Sequence, residues 1–212
     1  MKRCLVSLLL TTSQLIAQPS PFEDVKLEQG KLYMVARGTR SKQGFISKNF
    51  NSVDSNITHI GLAFYEPLIG GLKIYNVTTE KKKRNALWVE TIQEFSAPKD
   101  IFYLGLWSAP LSQKQVVKIR QMLAAWEKRT VTFDYDFDLK NADSTLYCSE
   151  FCWKVLAAID ERAFAFRPVT RALPNAFYRN MFGSDTLNYI PVDFFISFPR
   201  LRKVTDILIT RP

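Results

Sequence analysis

One cysteine and the single histidine of this 212-residue chain are the residue types that a thiol hydrolase uses. Cys148 lies in the run LYCSEFCW, at the predicted start of a helix. There the helix dipole and unpaired backbone N–H groups favour the reactive thiolate, and the same N–H groups can receive an oxyanion. The thiol needs a base, and His59 is the only imidazole in the sequence. The fold would have to bring the two together, because they are 89 positions apart.

The hydrophobic pattern indicates the elements that would position this pair. His59 opens a predicted strand, His59–Tyr65, directly after residues 38–58, a polar stretch that we predict to be a long loop. The chain turns after this strand and returns as the second strand of a hairpin, Leu72–Val77. Cys148 lies near the beginning of a helix that runs towards Ile159 with apolar residues at core spacing.

The rest of the pattern indicates one α+β domain over residues 18–212, with no repeats and no linker. Ser112 and Gln115 form a capping box at the start of the clearest helix. The further predicted elements are that helix, Ser112–Arg129, and strands over Lys31–Arg37, Leu87–Ile92, Ile101–Leu106 and Lys203–Ile209.

Three runs of the sequence resemble a known family: THIGLAFYE, KIYNV and YDFDLKNADSTLYCSEFCWKVL. They resemble the circularly permuted papain-like hydrolases, relatives of the NlpC-type cell-wall peptidases, in the branch often called YiiX-like. Ordinary papain-like enzymes place the Cys helix before the sheet that carries the His, whereas here His59 precedes Cys148. The resemblance extends from about Gly30 to Phe194. It implies a permuted papain-like α+β fold, with an antiparallel sheet carrying the His and the Cys at the N-terminus of a packed helix.

The resemblance also implies roles for particular residues. Cys148 would be the nucleophile, His59 the general base, and Asn76 the residue that orients the imidazole. Relatives often carry an acidic residue at the position of Asn76, but an Asn carbonyl can also accept the ring N–H. Glu66, at the far end of the His strand, is the alternative orienting residue. Tyr135 resembles a tyrosine that offers its hydroxyl to the oxyanion, and Tyr147, directly before the nucleophile, is a second candidate for oxyanion or substrate binding.

The composition limits which classes of partner and cofactor we expect. The chain has 29 Lys and Arg residues and 20 Asp and Glu residues, which gives a net charge of +9. This charge favours binding to an acidic polymer or to an anionic membrane surface. We find no nucleic-acid recognition module and expect no nucleic-acid partner. One His and three Cys exclude most zinc modules and any disulfide framework. The alternating Asp134, Asp136 and Asp138 lack the Gly and Glu of an EF-hand. We therefore expect neither a metal nor an organic cofactor, and the oligomeric state stays open.

The N-terminus predicts export. Lys2 and Arg3 precede an apolar stretch that ends at Ala17, which is typical of a cleavable secretory signal over residues 1–17. No other segment approaches about 18 uninterrupted apolar residues, the length that a membrane span needs. We therefore expect a secreted or periplasmic protein.

These observations together predict a secreted cysteine hydrolase that cleaves an amide bond in cell-wall peptide. One alternative is an acyl ester or lipid amide hydrolase or acyltransferase, because permuted relatives, including the lecithin–retinol acyltransferase group, work on lipids. Another is a catalytically silent module that binds wall peptide or lipid. The sequence leaves the exact bond open, because a fold does not fix a function.

Overall fold

A single large antiparallel sheet organises the protein. The computed structural model describes residues 21–79, 85–140 and 144–209, so the predicted signal over residues 1–17 lies outside the described part. The strands are β1 (Lys31–Thr39), β2 (His59–Glu66), β3 (Gly71–Val77), β4 (Leu87–Thr91), β5 (Ile101–Pro110), β6 (Thr132–Phe133), β7 (Thr145–Leu146), β8 (Val169–Ala172), β9 (Thr186–Tyr189) and β10 (Arg202–Leu208). Six of them form the main sheet, in the order β10-β5-β1-β2-β3-β4, and all its pairings are antiparallel.

Helices lie on this sheet and at its ends. They are α1 (Lys42–Asn49), α2 (Ile92–Phe95), α3 (Gln113–Glu127), α4 (Cys148–Ile159) and α5 (Ala176–Phe182), and two short 3-10 turns cover Pro67–Ile69 and Phe194–Ser197. The predicted capping box of α3 is present, since the Ser112 hydroxyl accepts from the Gln115 N–H and the Gln115 side chain accepts from the Ser112 N–H. The mixed α+β class that the sequence predicts is confirmed.

The two faces of the sheet bury separate apolar clusters. Alternation along β2 sends Ile60 and Leu62 into the larger cluster, which α3 and α4 cover. Ala63 and its register partner Ile74 point to the opposite face, where Phe95 of α2 completes a smaller cluster. The site described below lies at the end of β2 where these two faces meet.

The prediction that residues 38–58 form a long loop is wrong in part. β1 continues to Thr39, and α1 follows after Ser41, whose hydroxyl accepts from the Gly44 N–H at 3.0 Å. The segment has almost no apolar periodicity, so the N-cap and the packing of Phe50 define this helix. Within residues 38–58, Arg40, Ser41 and the stretch from Phe50 to the start of β2 remain irregular.

The C-terminal third adds a cap that the hydrophobic pattern did not indicate. β8 and β9 pair as a short antiparallel hairpin with α5 between them, and β6 pairs in parallel with β7 just before α4. This cap rests against α1 through the edge-to-face pairs of Phe50 with Tyr178, Phe182 and Tyr189. It therefore forms one wall beside the N-terminus of α4.

Candidate active site

Cys148 is the first residue of α4, as predicted. Tyr147 is the N-cap, and its side chain makes no capping hydrogen bond. The thiol is 6% exposed, and Cys152, one turn later, is fully buried in the core; both are free cysteines. The nucleophile candidate thus stands at the positive end of a helix whose remaining apolar face anchors it to the sheet.

His59 and Asn76 approach each other through the β2–β3 ladder. Leu62 pairs with Tyr75, so Asn76 lies beside Gly61, two residues from His59 on the same face. Gly61 makes this arrangement possible, because a Cβ there would lie 2.7 Å from the Ile74 side chain and 3.1 Å from the Asn76 Cβ. His59 Nε2 and Asn76 Oδ1 are 2.9 Å apart.

A third residue, Glu90, fixes the direction of this hydrogen bond. Asn76 Nδ2 donates to Glu90 Oε1 at 2.7 Å, and Glu90 is 8% exposed. Because a carboxylate only accepts, the Asn76 amide must turn its NH₂ to Glu90 and its Oδ1 to His59. The His59 Nε2 then carries the hydrogen, which leaves Nδ1 as the basic nitrogen. The sequence analysis missed Glu90, whose register opposite Ile74 depends on the β3–β4 pairing.

His59 and Cys148 line one cleft of about 460 Å³ at the end of the sheet. His59 stacks on Phe95 of α2, with ring centroids 5.7 Å apart, whereas Cys148 comes from the opposite face with α4. The ladder between β2 and β3 begins at Leu62, so His59 and Ile60 pair with β1 on one side only. Within the described residues, no hydrogen bond joins the thiol to the imidazole. The side chains of His59 and Cys148 therefore line the same cleft but are not hydrogen-bonded to each other.

His59 is held in its neutral form. The pKa of His59 is lowered from 6.5 to about 3, mainly by burial and also by the positive charge of Arg37, and the Asn76 hydrogen bond offsets only part of this lowering. Arg37 is 1% exposed, donates to the Phe95 carbonyl at 2.7 Å, and lies over the Phe95 ring. The sequence analysis also missed this buried cation, whose register partner in β2 is His59 itself.

The expectation that the helix start favours the thiolate is wrong for the resting protein. Burial raises the pKa of Cys148 above its ordinary value, although the backbone N–H groups of Ile60 and Ser149 and the charge of Arg37 all lower it. Desolvation of the sulfur outweighs the helix terminus. Thiol and imidazole are therefore both neutral at rest, rather than an ion pair.

The remaining predicted residues, Tyr135, Tyr147 and Glu66, do not line the cleft. Tyr135 is 63% exposed and packs edge-to-face on Phe133, which lines the cleft, but Tyr135 itself does not line it. Tyr147 is 2% exposed, and its hydroxyl accepts from the Ile190 N–H at 2.7 Å, so it ties α4 to the C-terminal cap. Glu66 ends β2, seven residues from His59, which is roughly 23 Å along a strand. The structure thus joins Asn76, and not Glu66, to the imidazole.

A buried carboxylate anchors the segment that leads to His59. Asp193 is fully buried and accepts backbone N–H groups of Ser52 at 3.0 Å and Asp54 at 2.8 Å, and that of Val53 as well. Without such an acceptor these N–H groups would lie partly buried and unsatisfied. The C-terminal part of the chain therefore holds the entry to β2 in place.

The donor groups of the cleft bond to one another rather than converge on a common point. His59 Nε2 already bonds Asn76, and the Glu90 oxygen Oε1 accepts the Asn76 amide. Across the described residues, no three His, Cys, Asp or Glu side chains converge in a way that could hold a metal ion. Likewise, no helix in the described part of the chain is long and apolar enough to cross a membrane.

The comparisons with known proteins identify the fold. The sequence matches no family model and no curated protein. The structure is similar to the crystal structure of the metalloprotein YiiX from Escherichia coli O157:H7, described under DUF1105, with a TM-score of 0.59. The match covers 86% of this chain and 99% of that chain, at 16% sequence identity. The chain therefore has a YiiX-like fold, in agreement with the branch that the sequence resembles.

Proposed function

We propose that this protein is a thiol hydrolase in which Cys148 attacks a carbonyl carbon and His59 accepts the thiol proton. One observation carries the proposal: the cleft beside Cys148 contains an imidazole whose orientation and tautomer are set by Asn76 and Glu90. An imidazole fixed in this way offers its second nitrogen as a base, as in Cys-His-Asn enzymes. The order of His strand and Cys helix supports a permuted papain-like arrangement.

The neutral resting pair implies a particular sequence of steps. As the Cys148 sulfur bonds to the carbonyl carbon, its proton passes to His59 Nδ1, and the oxygen develops negative charge. The N–H groups of Cys148 and Ser149 at the start of α4 are suited to stabilise that charge. His59 then gives the proton to the leaving amine, which departs and leaves a thioester. Water, deprotonated by His59, attacks the thioester, releases the acid and restores the thiol.

The leading substrate is an amide bond in cell-wall peptide. The cleft is large enough for a small-molecule or peptide ligand. Side chains that can hydrogen-bond a peptide backbone line it, among them Thr39, Ser41, Gln43, Thr58 and Thr78. The net charge of +9 suits contact with an anionic wall polymer or membrane surface. A secreted or periplasmic location, from the predicted signal over residues 1–17, would bring the protein to this substrate.

An acyl ester or lipid amide is the second candidate. A small apolar cavity adjoins the cleft at Cys148, with Phe50, Phe137 and Phe182 among its walls. Apolar walls next to a nucleophile favour a short acyl group over a charged one.

No step is routed through a metal. YiiX is described as a metalloprotein, but the donor groups at this cleft do not fit a metal site, because among the described residues no three His, Cys, Asp or Glu side chains converge in a way that could hold a metal ion. The proposal therefore uses only the side chains of this chain.

The proposal is tested by incubating the purified protein with muropeptides from digested cell walls and following the products by mass spectrometry. We expect cleavage that Cys148→Ala abolishes and that the matched variant Cys152→Ala, one turn along the same helix, retains. Cleavage of acyl esters alone would favour the second candidate. Muropeptide binding without cleavage, unchanged in Cys148→Ala, would contradict a hydrolase and support a silent binding module.

A further inference from the structure

A second, much smaller cavity adjoins the cleft at the nucleophile. Its volume is about 30 Å³, and it shares Ser47, Phe137 and Cys148 with the cleft. The rest of its wall comes from α1, from the start of α4, from α5, and from β9 with the segment that follows it; this wall includes Ile46, Phe50, Phe182, Leu187 and Val192. A group bonded to the carbonyl that Cys148 attacks would have this cavity next to it.

The polar groups of the cavity wall are already used within the protein. The Tyr147 hydroxyl accepts from the Ile190 N–H, and the Ser149 hydroxyl donates to the Ile190 carbonyl at 2.8 Å. The Tyr189 hydroxyl donates to the Phe50 carbonyl at 2.8 Å. The Ser47 hydroxyl donates to the Gln43 carbonyl at 3.0 Å. With these hydroxyls bonded elsewhere, the cavity favours an alkyl group over a polar one.

The volume sets the size of that group. A single water needs about 10–15 Å³ of such volume, so 30 Å³ holds only two or three heavy atoms. A methyl, ethyl or propyl group fits, whereas a long acyl chain does not. Edge-to-face aromatic packing limits expansion, because Phe182 contacts both Phe50 and Phe137, with ring centroids 5.8 and 6.2 Å away.

Phe137 lines both this cavity and the cleft, and its backbone is unusual. Its φ is 52°, which makes it the one non-glycine residue with a positive φ among the residues that the structure describes. This conformation costs a bulky residue on the order of 1–2 kcal/mol. It directs the ring onto Tyr147 and Phe182, with centroids 5.5 and 6.2 Å away. Strained backbone of this kind often lies at functional sites, where it positions a side chain.

We propose that the small cavity is the subsite for a short alkyl substituent on the carbonyl that Cys148 attacks, and that Phe137 sets its length limit. The inference rests on the proposed function and deepens it. The substrate class is an amide or ester whose acyl side presents about one to three carbons beyond the carbonyl. An alanine-sized side chain meets this limit in a peptide, and an acetyl to butanoyl group meets it in an ester.

The test is a series of p-nitrophenyl esters, acetate, butanoate and octanoate, with acylation of Cys148 followed by release of nitrophenol and by intact-protein mass. For the wild type we expect acylation by octanoate at least about tenfold slower than by butanoate. Phe137→Gly removes the ring, and glycine suits the positive φ. In this variant the rate of acylation by octanoate should rise at least about tenfold relative to that by butanoate. Phe137→Ala removes the same ring without relieving the backbone and should show the same change in ratio.

Thr79→Ala is the control, since Thr79 lines the cleft but not the small cavity. Its ratio of acylation rates, octanoate to butanoate, should equal that of the wild type. Equal acylation of Cys148 by all three esters in the wild type would overturn the subsite and leave the hydrolase proposal standing. Absence of any acyl-enzyme on Cys148 would instead overturn the proposed function. The wild-type series decides between these outcomes even where a Phe137 variant fails to fold.

Discussion

Glu150→Gln should make the protein more stable at alkaline pH and change it little at acid pH. Glu150 lies at the third position of α4, and its side chain is 1% exposed with one ion pair, to Lys154 at 3.1 Å. Its second oxygen, Oε2, has no hydrogen-bond partner in the described part of the chain. Burial raises the pKa of Glu150 from 4.5 to about 7, more than the charge of Lys154 lowers it. The ionised form of the Glu150 carboxylate is therefore less stable in the folded protein than in the unfolded chain.

The size and sign of the effect follow from this pKa. The rise of this pKa from 4.5 to about 7 corresponds to about 3.5 kcal/mol once the group is ionised in both states. Between pH 4.5 and 7 the folded state binds more protons than the unfolded state, so stability falls as pH rises through this range. Glutamine has no such proton, and its side chain is close in size and shape to that of glutamate. We expect Glu150→Gln to gain about 3 kcal/mol at pH 8 and about 1 kcal/mol at pH 5.

Urea unfolding of both proteins from pH 5 to pH 8, followed by far-UV circular dichroism, measures this difference. Glu161→Gln is the matched control, because Glu161 is exposed and its substitution should leave the free energy of unfolding unchanged across the range. A gap between wild type and Glu150→Gln that stays constant from pH 5 to pH 8 would refute the reasoning, because it would mean that Glu150 titrates alike in both states.

Three further predictions concern the residues around His59. Asn76→Ala removes the acceptor of the imidazole N–H. We expect it to lower kcat about a hundredfold with little change in KM, measured on the substrate identified by the muropeptide and ester assays. An unchanged kcat would contradict an orienting role for Asn76. Glu90→Gln allows the Asn76 amide to turn over, because glutamine can donate as well as accept. ¹⁵N NMR of the single histidine should therefore show a pure Nε2–H tautomer in the wild type and a mixture of tautomers in the variant. Identical spectra would refute the role of Glu90 in fixing the tautomer. Asp193→Ala leaves three backbone N–H groups without their acceptor and should cost about 3 kcal/mol in urea unfolding, whereas a loss below about 0.5 kcal/mol would show that the anchor is dispensable.

The sequence was most informative where local pattern and local structure agree. A largely apolar run followed by a turn predicted the hairpin that carries His59 and Asn76, and apolar spacing predicted α3 and α4. α1 was missed because its sequence, KQGFISKN, has no apolar face and includes a glycine. The cap of β8, β9 and α5 was missed because elements of four to seven residues give little periodic signal.

Within the site, the sequence indicated residue types but not their environment. Glu90 joins the hydrogen-bond chain through strand register, which depends on a pairing that no local pattern encodes. The same holds for Arg37, which is buried opposite His59 in the β1–β2 ladder. Helix position alone suggested an acidic thiol at Cys148, whereas the fold buries the sulfur and raises its pKa. Burial is a tertiary quantity, and it decides the protonation state of both members of the pair.

The most direct test of the account is the rate at which p-nitrophenyl acetate acylates Cys148, measured from pH 5 to pH 9 in the wild type and in His59→Gln. Since His59 is neutral throughout this range, the account predicts a nearly flat wild-type profile. Without its base, the variant should be about a hundredfold slower at pH 7 and should accelerate roughly tenfold per pH unit as the thiol ionises. Superimposable profiles for the two proteins would contradict the claim that His59 serves Cys148 as its base.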